Sequence, residues 1–352
     1  MRTALTPVGW LVLGEAAVLL SSRWWPARSI PEPTTVALGL ALLAVIAVSW
    51  RLAPRRSLAA DARWQVASRV PAGEEVTVGA LLAVHGSLPP CSIEAYDPAA
   101  PRRAHEVRLR ALGTGIVRPT WTVRFPRRGV VQLPPLVLRC AQPFGVVAVH
   151  RELGPGCEVV VLPALGQLRR ALRERLDTWF AELTPVTDAG SDEIDRLRDY
   201  RVGDPMRAVH WRASARHGHL LVAERQDPAC RRLAIVLDTS GRGPAGALEN
   251  RRFEKLVAAA ATLLSACIQR GWQVTVHGGF APTGLSGDLP HLLEALALAG
   301  MDGAALADCM PAQPAVAVLT ARPGDVPRLD RPPLVLPLDG IDDLIRLPAR
   351  LR

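Results

Sequence analysis

Two groups of residues have types that could do chemistry. His210, His217 and His219 lie close in sequence to Asp199 and Asp204. Imidazoles beside carboxylates can carry out acid–base work or hold a metal. Their spacing argues against both. His217 and His219 are two residues apart, which turns them in different directions on a helix and to one face only on a strand. No nucleophile accompanies them. The glycine-rich run His277–Phe280 is not followed by Gly-Lys-Ser/Thr, so no phosphate loop forms there. None of the six cysteines (Cys91, Cys140, Cys157, Cys230, Cys267, Cys309) stands in a C-x-x-C pair, so no zinc site is expected. The second group is Asp238, Thr239 and Ser240, which close the apolar run beginning at Leu233. The sequence predicts no catalytic residue and no enzyme; an unrecognised hydrolase is the alternative.

Asp238 has to be positioned by the elements around it. From Arg232 onward apolar runs at 233–238, 272–278, 315–320 and 333–338 alternate with helical stretches at 253–269 and 291–299. Such alternation predicts an α/β domain over 230–352 with an open, mainly parallel sheet, whose ligands bind at the carboxyl ends of strands. Upstream, residues 57–163 are Val-rich, broken by Pro, Gly and Asp turns, and predict a β-sandwich. Between them Leu168, Leu172, Leu176, Trp179, Phe180 and Leu183 recur at three- and four-residue steps. A connector helix and linker are therefore expected over 164–190, used for packing in preference to a membrane surface. Residues 191–229 are dense in arginine, carboxylate and histidine around Tyr200 and Trp211. Mixed charge of that kind predicts an ion-pair network fixing one loop arrangement.

The first 56 residues are of another kind. Apolar stretches at about 5–21 and 34–50 predict two transmembrane helices with a short loop, flanked by Trp24, Trp25 and Trp50. Glu15 reads as a tolerated polar residue in a helix packed on its neighbour; a partner-binding carboxylate is the sharper alternative. A cleaved signal peptide is a further alternative for the first stretch. Arg51, Arg55, Arg56, Arg63 and Arg69 follow the second stretch and favour a cytoplasmic side for everything downstream. The expected localisation is the cell membrane, multi-pass, with reduced cysteines.

Composition agrees with a folded, membrane-associated chain. Of 352 residues, 49% are hydrophobic and 21% charged, which excludes a disordered chain. The net charge of +9 rests almost wholly on arginine, since Lys255 is the sole lysine. With no dense basic helix and no aromatic stacking strip, a solvated basic surface beside anionic lipid is expected, and no nucleic acid.

Leu197, Arg198, Tyr200, Gly203, Asp204, Arg207, Trp211, Ser214, Ala215 and Arg216 follow in the order of a bacterial family pattern, with Val209 in an isoleucine place. The run 235–240, "IVLDTS", comes at the expected distance. Upstream, 127–147 carries Gln142-Pro143-Phe144-Gly145 where the pattern has D-P-F-G. In these features the chain resembles the family called domain of unknown function 58. The resemblance implies a β-rich domain followed by a von Willebrand factor A-like domain. It implies association with MoxR-type AAA+ ATPases and often with transglutaminase-like membrane proteins, in assembly, chaperoning or envelope scaffolding. No enzymatic activity comes with it.

A domains of that kind hold Mg²⁺ through hard oxygens. Asp238 and Ser240 fill the first two ligand places of the pattern, but the third is Arg242. Ala321 stands where a later carboxylate would be, Asp325 is four residues late, and Thr283 is a weak threonine candidate. No cofactor is expected; a metal-dependent adhesion-type module using Asp238 and Ser240 is the alternative. The leading expectation is a non-enzymatic scaffold. Arg198, Tyr200, Arg207 and Trp211 have the chemistry of interface anchors. With Gly203, Asp204, His210, Ser214 and Arg216, they could equally lock the loop onto the sheet. A purely structural oligomer is a third possibility, and the sequence does not fix the oligomeric state.

Overall fold

The computed structural model describes residues 2–21, 32–53, 58–101, 104–183, 194–201, 206, 209–225, 232–241, 247–312, 315–329 and 331–351. The chain divides into two compact units, Met1–Leu162 and Pro163–Arg352.

In the first unit, short alternating strands build three sheets. A five-stranded antiparallel sheet runs in the order Arg2–Leu5, Val147–Leu153, Leu136–Cys140, Cys91–Tyr96, Ala104–Leu109. A second sheet forms around Glu75–Val84, and a third joins Arg69–Pro71, Cys157–Leu162 and Gly129–Leu133. All three share one core, in which Leu82, Ile93, Phe125, Leu138 and Val159 are fully buried.

Two helices, α1 (Pro7–Ser21) and α2 (Glu32–Leu52), lie between the strand Arg2–Leu5 and the other strands of these sheets, and they correct the expectation of two transmembrane spans. Among the described residues one helix is long and apolar enough to cross a membrane, Pro33–Leu52, at 20 residues. The 15 residues of α1 reach only ~22 Å, short of a ~30 Å hydrocarbon core. The apolar run that begins at Leu5 is not one helix. Leu5 is the last residue of a strand, and Thr6 starts the helix as its cap, accepting a hydrogen bond from the Gly9 N–H at 3.0 Å. Pro7 follows at the first helical position, where its missing N–H costs nothing. The helix packs on α2 through Ala16 and Leu20, against Gly39, while Glu15 stays exposed on another face.

The second unit opens with the strand Gln167–Leu168, paired with Ile345–Arg346, and then α3 (Arg170–Leu183). Leu172, Leu176, Trp179 and Phe180 are buried, and the Phe180 ring meets Trp272 edge-on at 4.1 Å. After α3 come α4 (Trp211–His217), α5 (Ala247–Gln269) and α6 (Leu289–Leu298). The main sheet has the order Ala281–Ser286, Gln273–Gly278, Arg232–Leu237, Val316–Thr320, Leu334–Pro337. It is mixed, which corrects the expected mainly parallel, Rossmann-like domain. Ala281–Ser286 runs antiparallel to Gln273–Gly278, because only Gly279 and Phe280 separate the two strands. A two-residue connection can join antiparallel strands, whereas parallel ones need a crossover. The apolar run 272–278 ends at Gly278, and the residues after it give no pattern for the returning strand. Two further antiparallel pairs lie in this unit, so antiparallel and mixed pairing prevails along the described chain.

Candidate functional site

Residues 233–237 are all buried, with parallel neighbours on both sides, as expected of a near-continuous apolar run inside such a sheet. Asp238 follows directly, and its N–H donates to Leu319 O at 3.0 Å, tying two strand ends together. One carboxylate oxygen, Oδ1, accepts from the Ser240 N–H at 3.0 Å and from the Ser240 hydroxyl at 2.5 Å. The other accepts from the Thr320 hydroxyl, whose oxygen in turn accepts from the Arg322 N–H at 2.8 Å. Next to it, the Thr239 hydroxyl oxygen accepts from the Gly279 N–H at 3.1 Å, and the Thr239 carbonyl accepts from the Gly303 N–H at 3.1 Å. Four loops are thus fastened at one point.

Beside Asp238 lies a cavity of ≈ 130 Å³, lined among others by Ser240, Glu249, Arg252, Met301 and Arg322. The residues present do not fit a Mg²⁺ site. Near-octahedral coordination needs several hard oxygens converging on one point. Here Asp238 and Ser240 are bonded to each other, Glu249 is the further carboxylate in the lining, and Arg252 and Arg322 bring positive charge to the cavity. Ala321 supplies no side-chain oxygen, while Thr283 and Asp325 are exposed and line no part of this cavity. Arg242 lies outside the described residues. Among the described residues no group of three or more His, Cys, Asp or Glu could hold a metal ion. Thr320, fully buried, is the partner of Asp238 that sequence reasoning missed. Its signal was a lone hydroxyl closing the apolar run Val316–Thr320.

The signature stretch builds a second constellation. Ile194–Asp199, which contains Arg198, pairs antiparallel with Leu221–Arg225. The Tyr200 N–H continues the pairing to Leu220 O at 2.9 Å, the His210 N–H donates to Leu221 O at 2.8 Å, and Val209 bridges Val222. His210 then caps α4: its Nδ1 accepts from the Ala213 N–H at 3.0 Å. That atom is therefore engaged in structure, away from any proton-transfer partner. Ser214 joins helix to strand. Its hydroxyl donates to His210 O at 3.0 Å and accepts from the Leu221 N–H at 2.9 Å. Gly218 ends the helix at φ 73°, a left-handed conformation that favours glycine, and its N–H donates to Ser214 O. His219 pairs with Asp199 at 3.0 Å in solvent.

This arrangement sorts the predicted residues. His210 and Ser214 do the fastening. Trp211, between them in sequence, is 59% exposed, and Met206 beside the same turn is 54% exposed. Arg216 is exposed on α4 and Tyr200 is half-buried. Gly203, Asp204 and Arg207 lie outside the described residues.

Other groups that could react are muted by burial. Desolvation pushes the Cys91 thiol up to about 11 and the Cys267 thiol up to about 12. Such thiols stay protonated and inert at neutral pH. His277 is buried next to Gly284, and desolvation lowers its pKa below the ordinary histidine value.

Comparison with known protein families finds the model described as "Protein of unknown function DUF58" matching residues 196–279. The matched span takes in the fastened signature, Asp238, Ser240 and the Gly278–Gly279 turn, so the resemblance read from the signature residues is shown there. Among curated proteins, none matches the chain.

Proposed function

Taking the DUF58 signature over residues 196–279 as the premise, we propose that this is a membrane-anchored, non-enzymatic interaction protein that presents the Trp211 face of its signature to a MoxR-type AAA+ ATPase. One observation carries the reading. Between His210 and Ser214, whose side chains are tied into the fold, Trp211 is left 59% exposed. A large aromatic on a rigid support is the type of residue that anchors protein interfaces. The membrane part rests on the apolar helix Pro33–Leu52 with α1 packed on it; because Arg2–Leu5 and Ala53 belong to the same β unit, the pair enters the bilayer from one face, and the cytoplasmic side rests on the arginines after α2. Asp238 serves in this reading as an acceptor that fastens strand ends, and His210 as a helix cap, which leaves neither for catalysis or metal binding.

The test uses the full chain in lipid nanodiscs and a purified MoxR-type ATPase from the same organism. Trp211→Ala should weaken binding by roughly 30-fold, the scale of an interface hot spot, with the melting temperature unchanged. Ser214→Ala should do the reverse. It leaves the Leu221 N–H without its partner, at a cost of about 1–3 kcal/mol of stability. Loss of stability in Trp211→Ala with binding intact would mean that the indole fastens the fold. Turnover of phosphatase, peptidase or nuclease substrates, abolished by His210→Ala, would overturn the non-enzymatic reading.

A further inference from the structure

The first turn of α1 is fixed to the turn that precedes Val147–Leu153. The Thr6 hydroxyl donates to Gly145 O at 2.6 Å and the Thr6 N–H donates to Val146 O at 3.0 Å. Gly9 lies so close that a Cβ there would stand 2.1 Å from Val146 O. Ahead of Thr6, Arg2–Leu5 completes the sheet edge, with Leu5 opposite Val147 and Arg2 opposite His150. Ala53, directly after α2, is part of the β core. The helix pair and the five-stranded sheet therefore meet at the Val147 end of that sheet without a free linker at α1.

Next to this junction Phe144, an apolar aromatic in the turn itself, is 56% exposed. Trp10, one turn into α1, is 63% exposed. Arg51 lies exposed in the last turn of α2. Aromatic rings and an arginine at the mouth of an apolar helix pair are the groups that suit the headgroup zone of a bilayer. From these contacts we propose that the Gln142–Val146 turn seats on the lipid surface. Phe144 enters the interface at the level of Trp10, and Arg51 meets the lipid phosphates. The seat holds the β unit in one orientation on the membrane. This rests on the anchor reading above.

The experiment labels single cysteines with an environment-sensitive fluorophore in the full chain, in nanodiscs carrying nitroxide lipids. The background is Cys157→Ser, Cys230→Ser, because Cys157 is only half-buried and Cys230 lies outside the described residues. Leu38→Cys on α2 reports the anchor, Phe144→Cys the seat, and Pro155→Cys the far end of Val147–Leu153. That strand places Pro155 some ~20 Å or more from the seat. Quenching is expected at positions 38 and 144 but not at 155. Quenching at 38 without 144 overturns the seat and leaves the anchor standing. Absence of quenching at 38 overturns the anchor, and the seat with it. Quenching at 155 equal to that at 144 means the unit lies on its side, which also refutes the seat. Arg51→Gln should shift the ratio of seated to unseated molecules by roughly fivefold; an unchanged ratio removes the arginine from the seat.

Discussion

At the scale of single residues, burial decides what the ionisable groups can do. His277 is the plainest case. It lies under the hairpin turn, with Thr275 Oγ1 3.2 Å from Nε2 and Gly284 against its ring. Desolvation lowers its folded pKa, so the folded state takes up a proton later than the unfolded one. The stability that follows is present above the ordinary value of about 6.5 and is lost as pH falls below it toward the folded value. Melting temperature should therefore drop on acidification from about pH 6.5 downward, and His277→Gln should flatten that limb. An equal slope in the variant would show that another group carries it. In the sequence His277 stands both at the end of the apolar run 272–278 and at the start of a glycine-rich run, and neither position displays its burial. Its burial depends on the returning strand Ala281–Ser286, whose sequence APTGLS, with Pro, Thr, Gly and Ser, carries no apolar run. Trp211 and Ser214 were likewise legible as signature residues, but not as opposites. Which of two neighbours faces solvent is set by the register of α4 on Leu221–Arg225, and that register comes from hydrogen bonds no residue pattern displays.

At the scale of elements, the strongest mismatch between pattern and structure is at the amino terminus. An apolar run from Leu5 reads as helix because strand and helix residues there are equally apolar. The capping threonine and the proline after it were the available boundary signal. The consequence is mechanical. Arg2–Leu5 covers one edge of Val147–Leu153, whose other edge pairs with Leu136–Cys140. A chain lacking residues 1–6 would lose this edge strand together with the Thr6 bonds to the 145–146 carbonyls. An uncovered edge offers unpaired N–H and C=O groups to other chains. We expect such a truncation to lower the melting temperature of the first unit and to increase self-association. Hydrogen exchange should show lost protection at residues 147–150 in particular. Unchanged protection there would show that the edge is held by something other than the terminal strand. The β-rich character of 57–163 was legible from its turns and Val-rich runs, whereas its division into three sheets depends on long-range pairings such as Arg69–Pro71 with Val160–Leu162.

At the scale of the whole molecule, the chain carries two self-contained cores. Among the described residues, the five strands of the main sheet of Pro163–Arg352 all come from that unit. Its own packing includes the buried face of α5, the α3 aromatics against Trp272, and the Lys255–Asp342 pair at 2.5 Å. A fragment of residues 163–352 should therefore fold and melt in one cooperative transition without lipid, and the acid sensitivity of His277 should travel with it. The same fragment isolates the question of the strand-end carboxylate. With both Asp238 oxygens already accepting hydrogen bonds, a divalent cation would have to break bonds from Ser240 and Thr320 before making its own. Added Mg²⁺ should leave the melting temperature where it is, since a ligand stabilises only by binding the folded state better than the unfolded one. Asp238→Ala should lower the melting temperature equally with and without Mg²⁺, through the loss of a fastening shared by several loops. A Mg²⁺-dependent rise in the parent fragment, absent from Asp238→Ala, would reverse this assignment and make the strand end a metal site after all.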